Sequence, residues 1–535
     1  MFATYKAPTY PYMQSEEQKT GQVKRHTLVI VGAGPVGLTA ALDAARHGLT
    51  CVILDDNNTV SVGSRAVCYA KRPLEIWDRL GVGERMEGKG VGWNVGKVYF
   101  KDKLSYQFDL LPESGNKMPA MINLQQYYLE EYLVDEIART PAVDLRWKHK
   151  VIALAQKNDH AVLSVETPDG VFTMEAAWVI ACDGAHSGLR EMVGAQFTGQ
   201  RFQDRFLIAD VVMKADYPPE RWFWFDPPFH PNQSALLHRQ PDNVWRLDFQ
   251  LGADADANEE KKPEKILPRV RAMLGDERPF ELEWASVYQF ACRRIDHFRY
   301  DRVLFAGDSA HQVSPFGARG ANTGVQDADN LIWKLKLVID GAAPLALLDS
   351  YEEERAFAAD DNLLNSTRAT DFISPKSPSS RLFRDAVLQL AETCPFARPL
   401  VNSGRLSSPT PYIHSSLNTP DEDSFAGKMA PGTNCADAPV TVAGDKGWFL
   451  NQIGGGFTLL SFGPAPGTLI RCGKVQPNWL EVGKDIEDSE GILAARYDAK
   501  PGTIYLLRPD QHVAGRWRQF DEEKISRALA RALAA

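Results

Sequence analysis

Little in this chain of 535 residues marks it for the extracellular space, a membrane or nucleic acid. Its seven cysteines stand at 51, 68, 182, 292, 394, 435 and 472, with no CxxC and no metal-type spacing. That odd count and wide scatter suit a reducing, cytoplasmic setting better than a disulfide framework and point to no metal site. There is no basic excess: the net charge is −9, the wrong sign for a partner rich in phosphates. Long apolar runs are also missing. The most apolar early stretch, 28–45, is broken by Gly32, Gly34, Pro35 and Gly37 and is too short to span a bilayer. Residues 1–26 contain no apolar segment of the kind a secretory signal needs and read as a surface or disordered arm. No internal repeat, low-complexity tract or Ser-His-Asp pattern is present. What remains is an ordinary globular composition, 44% hydrophobic and 24% charged, long enough for two or three domains.

What is present centres on 303–335. Val303 to Ala306 reads as a buried parallel strand ended by Gly307-Asp308, so Asp308 stands where open α/β sheets hold their ligands. Gly317, Gly320 and Gly324 allow close backbone approach. Val325, Ala328, Leu331, Ile332 and Leu335 trace one face of the helix that follows. A second signal lies near the start. The strand 27–31 runs into Gly32-Ala33-Gly34-Pro35-Val36-Gly37, then a helix 38–47, then the strand 51–54 ending in Asp55. This is the dinucleotide fingerprint in its required context, with glycines for the tight turn and pyrophosphate approach and an acid for a ribose hydroxyl. Arg65, shortly after the second strand, and Gln126, at the start of a helix 127–139, are candidates to reach a phosphate or the cofactor's ring edge. A third signal follows the strand 178–182: Asp183-Gly184-Ala185-His186-Ser187-Gly188-Leu189-Arg190, again a carboxylate at a strand end, with an arginine one helical turn on.

Between and beyond these segments the character changes. Residues 151–154, 161–166 and 171–175 read as an antiparallel meander. Aromatics crowd 221–225, and Trp245, Leu247 and Phe249 alternate along a strand. A further strand is predicted over 283–292. This region, 201–292, reads as a substrate domain built on an antiparallel sheet with one covered face. Helix is predicted to continue over 342–365, and Ser374 to Ser380 has linker composition. Past residue 405 a third unit begins and ends in an amphipathic helix from Asp521.

The three motifs, in this order and spacing, resemble the single-component FAD-dependent aromatic hydroxylases, similar to p-hydroxybenzoate hydroxylase and phenol hydroxylase. The likeness covers about residues 27–375. It implies an α/β (α+β) chain with a Rossmann-like FAD-binding domain in two parts, 27–200 and 293–373, and an inserted substrate domain, 201–292, that also takes in pieces of 85–125. A linker and helix, 374–404, and a thioredoxin-like C-terminal domain without CxxC, 405–535, complete it. Carried over by residue, Gly32, Gly34, Pro35, Val36 and Gly37 would cradle the FAD pyrophosphate, and Asp55 the adenosine ribose. Arg65 and Gln126 would meet the phosphates or flavin. Asp183 and Arg190 would serve FAD and NAD(P)H, and Asp308 the ribityl chain. Pro315, Gly320, Ala321 and Asn322 would lie against the isoalloxazine. One departure is GARGAN where many relatives have a GQG-type turn, which touches Ala318 and Arg319.

The implied activity is ring hydroxylation of a phenol with NADPH or NADH and O₂, through a hydroperoxide at flavin C4a. The protein must bury the flavin, orient the ring and favour the phenolate. His238, Arg246, Tyr288 and Gln289, with Pro315, are the candidates for handling the phenol. Arg221, Arg239 and Arg246 leave room for an acidic substituent, and a single ring is preferred to a polycycle. The same scaffold also admits oxidative removal of a ring substituent, epoxidation, or a flavin-binding protein without hydroxylase activity. The expected partners are a small phenol, O₂, NAD(P)H and a second copy of the chain, with neither nucleic acid nor membrane.

Overall fold

The computed structural model describes residues 4–63, 66–401, 406 and 408–535. Five strands of its first sheet lie parallel, in the order Val303–Phe305, Gly170–Ala181, Arg25–Val31, Cys51–Asp55 and Val143–Trp147. These strands are apolar over most of their length because helices cover both faces. The helix Pro35–Arg46 carries the chain from the third to the fourth strand of this order, and Gln126–Ile137 packs beside it. Gly170–Ala181 is one continuous strand where the sequence suggested two. Its first half pairs antiparallel with Ala161–Thr167 and its second half parallel with Arg25–Val31. The change of partner hides the continuity from a local reading.

The second sheet has seven strands, in the order Glu281–Tyr288, Arg205–Val212, Val244–Leu251, Ser234–Arg239, Arg221–Phe225, Val95–Phe100 and Lys103–Asp109. It is not purely antiparallel, since Arg221–Phe225 runs parallel to Val95–Phe100. Nor is only one face covered. Trp245, Leu247 and Phe249 pack on the back face against Ile266, Val270 and Leu274 of the helix Pro263–Leu274. The front face, with Val98, Phe206 and Phe225, turns to the first domain and meets Phe316, Ile373, Val387 and Val401. The strand expected over 283–292 is two strands. After Tyr288 the chain leaves this sheet, and Ala291–Ile295 joins a small one with Phe197–Arg201 and His311–Gln312.

The long helix Gly320–Ile339 does not continue through 342–365. It ends at Asp340-Gly341, where Gly341 takes a positive φ of 59°, and a second long helix runs over Asp349–Ile373. The Ser-Pro stretch also hides a helix start. Ser377 caps Pro378–Thr393 by accepting from the Ser380 amide, with Pro378 at the first position, where its missing N–H is harmless. In the last unit, Asn478–Val482, Thr458–Phe462, Ile504–Leu507 and Val513–Trp517 form a four-stranded mixed sheet. The final helix Glu522–Ala532 lays Ile525, Ala528, Leu529 and Ala532 onto the apolar cluster beside it. No helix among the described residues is long and apolar enough to cross a membrane.

Candidate functional site

The three motifs meet because their strands are neighbours. Val31 pairs with Ala181 and with Leu54, and Ala181 pairs with Phe305. Gly32, Asp55, Asp183 and Asp308 therefore stand side by side at the carboxyl ends of adjacent parallel strands, the crevice where open α/β sheets bind ligands. Glycines close the contact. Gly32 has φ 107°, and a Cβ there would stand 2.3 Å from the Cys182 carbonyl oxygen. A Cβ on Gly37 would lie 2.0 Å from the Gly32 oxygen. Val36 fits against Gly307 and Gly324, whose Cβ atoms would approach its Cγ2 to 2.9 and 2.7 Å. Gly34 is different: it caps the helix at φ −81°, and a Cβ there would meet no protein atom within 4 Å.

Two helices begin at this crevice, Pro35–Arg46 and Gly320–Ile339. Neither has a side-chain cap or an acid in its first turn. Their leading amides are the natural partners of an anionic or carbonyl-bearing ligand. The acids are arranged to match. Asp55 accepts from the Ala33 amide at 2.6 Å and the Asn57 amide at 2.8 Å, and burial pushes its carboxyl up. Burial also raises Asp183, whose Oδ2 accepts from the Leu189 amide at 3.0 Å while its buried Oδ1 has no partner. Asp308 is exposed on the short turn Gly307–Ser309. That turn is fixed from below. Asp327 accepts from the Gly307 amide at 2.9 Å, from His311 Nε2 at 2.7 Å and from Arg355 Nε at 2.6 Å. Burial would raise the Asp327 carboxyl, but His311 and Arg355 hold it below its ordinary value. A glycine turn under two uncapped helix starts, with carboxylates at the strand ends, fits the pyrophosphate, ribose and ribityl groups of FAD.

The remaining expected residues take distinct places. Gln126 is tied into the protein: its Oε1 accepts from the Ala66 amide at 3.1 Å, and its Nε2 donates to Ser61 and Glu130. It anchors the loop next to the crevice. Arg65 lies outside the described residues. Arg190 donates to the Ser309 and Ala185 carbonyls and covers the Phe197 ring. The Asn322 side chain clamps the helix start to the strand Cys68–Ala70, accepting from the Ala70 amide at 2.9 Å and donating to the Cys68 carbonyl at 2.9 Å. Gly320 and Ala321 open the same helix, and Pro315 is exposed in the turn before it, whose Ala318 takes a positive φ of 52°.

Opposite this loop, the front face of the second sheet carries a polar row. Arg221 pairs with His238, His238 with Arg246, and Arg246 with Asp210. Arg246 is committed to a two-pronged ion pair with Asp210, at 2.8 and 2.7 Å. Burial, with Arg221 and Arg246 on either side, drives His238 well below its ordinary range, so its imidazole is neutral. Its Nδ1 faces the Cys68 sulfur at 3.8 Å, and Cys68 donates to Asn123 Oδ1 at 3.2 Å. Tyr288 lies on the same face against Phe206 and Phe290, and burial raises its hydroxyl well above the usual value. Gln289 is exposed, its amide donating to the Phe202 carbonyl at 2.7 Å. Arg239 pairs with Trp245 and turns to the back face. Of the three arginines considered for an acidic group, Arg221 is the one in the cavity.

That cavity, about 70 Å³, lies between Val98, Phe108, Phe223 and Phe225 of the sheet, the Phe316–Arg319 turn, and Ala369 and Ile373 of the second long helix. Lys97, Arg221 and Arg319 give it positive charge. Lys97 is paired with Glu220 at 2.7 Å. Arg221 donates to the Cys68 sulfur at 3.4 Å and has no carboxylate partner among the described residues. Reading the sequence missed Phe316, Cys68 and Asp248. The signal for Asp248 was available: in Val244–Leu251 it has the same parity as Arg246, opposite to the apolar back-face residues.

Comparison with known proteins agrees with this geometry. Residues 25–366 match the family described as FAD binding domain. A flavin-dependent monooxygenase from Mycobacteroides abscessus is 27% identical over 512 residues, 91% of this chain and 96% of that one. A 3-(3-hydroxy-phenyl)propionate/3-hydroxycinnamic acid hydroxylase from Mycolicibacterium smegmatis is 26% identical over 91% of this chain and 90% of its own length. Among solved structures, the flavin-dependent monooxygenase PieE, in complex with FAD and substrate, shares the fold. Its TM-score is 0.82 at 21% identity, over 95% of this chain and 99% of that one. The p-nitrophenol 4-monooxygenase PnpA from Pseudomonas putida aligns with a TM-score of 0.63 at 25% identity, over 72% of this chain and all (100%) of that one. With its family model spanning well over half of the residues, the chain belongs to the FAD binding domain family and is a flavoprotein monooxygenase.

Proposed function

We propose that this enzyme hydroxylates a single-ring phenol bearing an acidic side chain, with NADPH or NADH as reductant and O₂ as oxidant. The observation that carries this reading is Arg221, a cation without a carboxylate partner among the described residues, in a cavity lined largely by aromatic and aliphatic side chains next to the flavin-side turn. Relatives that act on 3-(3-hydroxyphenyl)propionate and 3-hydroxycinnamic acid support the same substrate class. Bound FAD would accept hydride and activate oxygen. The chain's own residues do the rest. Gly32 to Gly37, Asp55, Asp183 and Asp308 hold the cofactor, with Arg190 set for cofactor or dinucleotide phosphate. The front face of the sheet excludes water from the reacting ring. Arg221 holds the acid arm. Tyr288 and neutral His238 face the ring, Arg246 keeps that face in register through Asp210, and Pro315 and Gln289 shape the bordering turns.

The test is a panel of phenols with and without an acid arm, scored for stimulated NADPH and NADH oxidation and for product mass under ¹⁸O₂. One labelled atom added to an acid-bearing phenol, with the ring substituents retained, supports the reading. Loss of a substituent, or stimulation by neutral polycycles alone, overturns it. We also place the enzyme in the cytoplasm as a dimer. Its seven unpaired cysteines favour the first. Exposed Leu382, Phe383 and Phe396, on the helix Pro378–Thr393 and the turn after it, favour the second. Sedimentation of the purified protein checks the dimer.

A further inference from the structure

Asp248 lies at the centre of the front face. Its strand neighbours pair it with Leu236 on one side and Ile208 on the other, one row along from Arg246 and Asp210. It is half-buried, and its Oδ1 is sealed from solvent without a hydrogen-bond partner. Arg246 does not supply one, because its Nε and Nη2 are directed to Asp210. The next row on the same face holds Tyr288, whose hydroxyl also has no hydrogen-bond partner among the described residues. An unpaired acceptor and, two strands and two residues away, an unpaired donor thus face the same side of the sheet, whose Phe206 meets Phe316 of the flavin-side turn. A carboxylate taken out of water without a donor is costly, so a donor brought by a ligand is the natural complement.

We propose that Asp248 accepts the ring hydroxyl of the substrate and takes its proton as the ring attacks oxygen. The inference rests on the acid-bearing phenol reading above. The phenolic O–H bond breaks, an O–H bond forms on the Asp248 carboxylate, and the electron pair left on the phenolic oxygen feeds the ring. The ring carbon forms its C–O bond as the O–O bond of the oxygen that bound FAD would activate breaks. The proton on that carbon then leaves to solvent, and the proton held by Asp248 returns to the phenolic oxygen as aromaticity is restored. The Tyr288 hydroxyl donates to the phenolic oxygen and steadies it as negative charge develops. Arg221 and Asp248 are two strands and two residues apart, about 12 Å between Cα atoms by ordinary sheet spacing. One ring with a short acid arm bridges that separation, the acid on Arg221 and the hydroxyl on Asp248. Burial pushes the Asp248 carboxyl up to about 6, against the pull of Arg246 and Arg221. The titratable and charged groups facing it are Arg246, Asp210, Arg221, Tyr288 and Cys68.

The experiment uses the FAD-loaded enzyme with 3-(3-hydroxyphenyl)propionate and 3-phenylpropionate, which lacks the hydroxyl. Binding is followed by the change in flavin absorbance. In the parent enzyme the hydroxylated acid should bind at least about tenfold tighter, and product formation should fall on the acid side with a midpoint near pH 6. Asp248→Asn should erase the hydroxyl preference, leave 3-phenylpropionate binding unchanged, slow product formation about 100-fold or more and remove the acid limb. Tyr288→Phe, which keeps the ring packing, should weaken the hydroxyl preference several-fold and keep the acid limb. If Asp248→Asn retains both the preference and the limb, or Tyr288→Phe retains the full preference, the assignment is wrong while the substrate class stands. If neither acid binds the parent enzyme, the substrate class fails and this inference fails with it.

Discussion

Gly34 and Gly32 separate two reasons for a glycine at the same turn. Gly32 needs its positive φ and has the Cys182 carbonyl in the way of any side chain. Gly34 has an ordinary φ and open space, so its lack of a Cβ serves the ligand and not the fold. Gly32→Ala should destabilise the protein with or without FAD. Gly34→Ala should leave the melting temperature of the FAD-free protein unchanged and weaken FAD binding at least about tenfold, read by flavin fluorescence. Equal effects at both positions would contradict this division. Arg221→Leu should raise KM for acid-bearing phenols about tenfold or more and leave neutral phenols unaffected, in steady-state kinetics on matched pairs. At this scale the sequence was legible where a residue ends a strand. Asp183 and Asp308 could be located because each ends an apolar run beside a glycine, and Asp55 because it ends the strand that follows the glycine motif. Asn322 and Gln126 were harder. Both side chains are taken up by hydrogen bonds to residues distant in sequence, Ala70 and Cys68 for one and Ala66 and Ser61 for the other.

The second long helix, Asp349–Ile373, does more than its composition suggests. Arg355 braces Asp327 under the Asp308 turn, and Glu354 accepts from Lys334 Nζ at 2.7 Å and from Arg508 Nη2 at 2.9 Å. Burial would raise Glu354, but Arg508 and Lys334 hold it far below its ordinary 4.5. Its folded value thus lies under its unfolded one. The stability it contributes is present above about pH 4.5 and is lost as the pH falls further towards the folded value. Glu354→Gln should cost about 3–5 kcal/mol at neutral pH, because it leaves Lys334 buried without its counter-charge and Arg508 with Asp510 alone. It should also flatten the fall of the unfolding midpoint below pH 4.5, measured by calorimetry across pH. A variant with unchanged stability and an unchanged acid profile would refute the role. Helices with a clear apolar stripe, such as Gly320–Ile339, could be read from the sequence. Asp349–Ile373 was misplaced at its start because the alanines and leucines of 342–348 favour helix, while Gly341 before them and Pro344 among them break it.

In the whole molecule, the C-terminal unit is keyed into the FAD-binding domain through buried charge. Arg72 donates to Gln511 Oε1 and the Asp510 carbonyl, both at 2.8 Å, and to Asp329 at 2.9 Å. Trp333 and Leu347 of the first domain share an apolar cluster with Phe457, Leu459 and Leu529 of the last. A chain ending at residue 401 should therefore be recovered aggregated, with Arg72, Lys334 and Trp333 exposed. Recovery of a monodisperse, FAD-binding fragment would refute that. The absence of CxxC left this unit without a chemical role in the sequence, and the contacts that define its part could not be seen there, since they join residues far apart in the chain, up to 439 positions for Arg72 and Gln511. Everything above depends on one nucleotide seated where four strand ends and two helix starts converge. The most direct measurement is the stoichiometry of flavin on the purified or reconstituted protein, by absorbance after removal of free cofactor. The account predicts one FAD per chain, with binding weakened in Gly34→Ala. A colourless protein that takes up no FAD on reconstitution would contradict it.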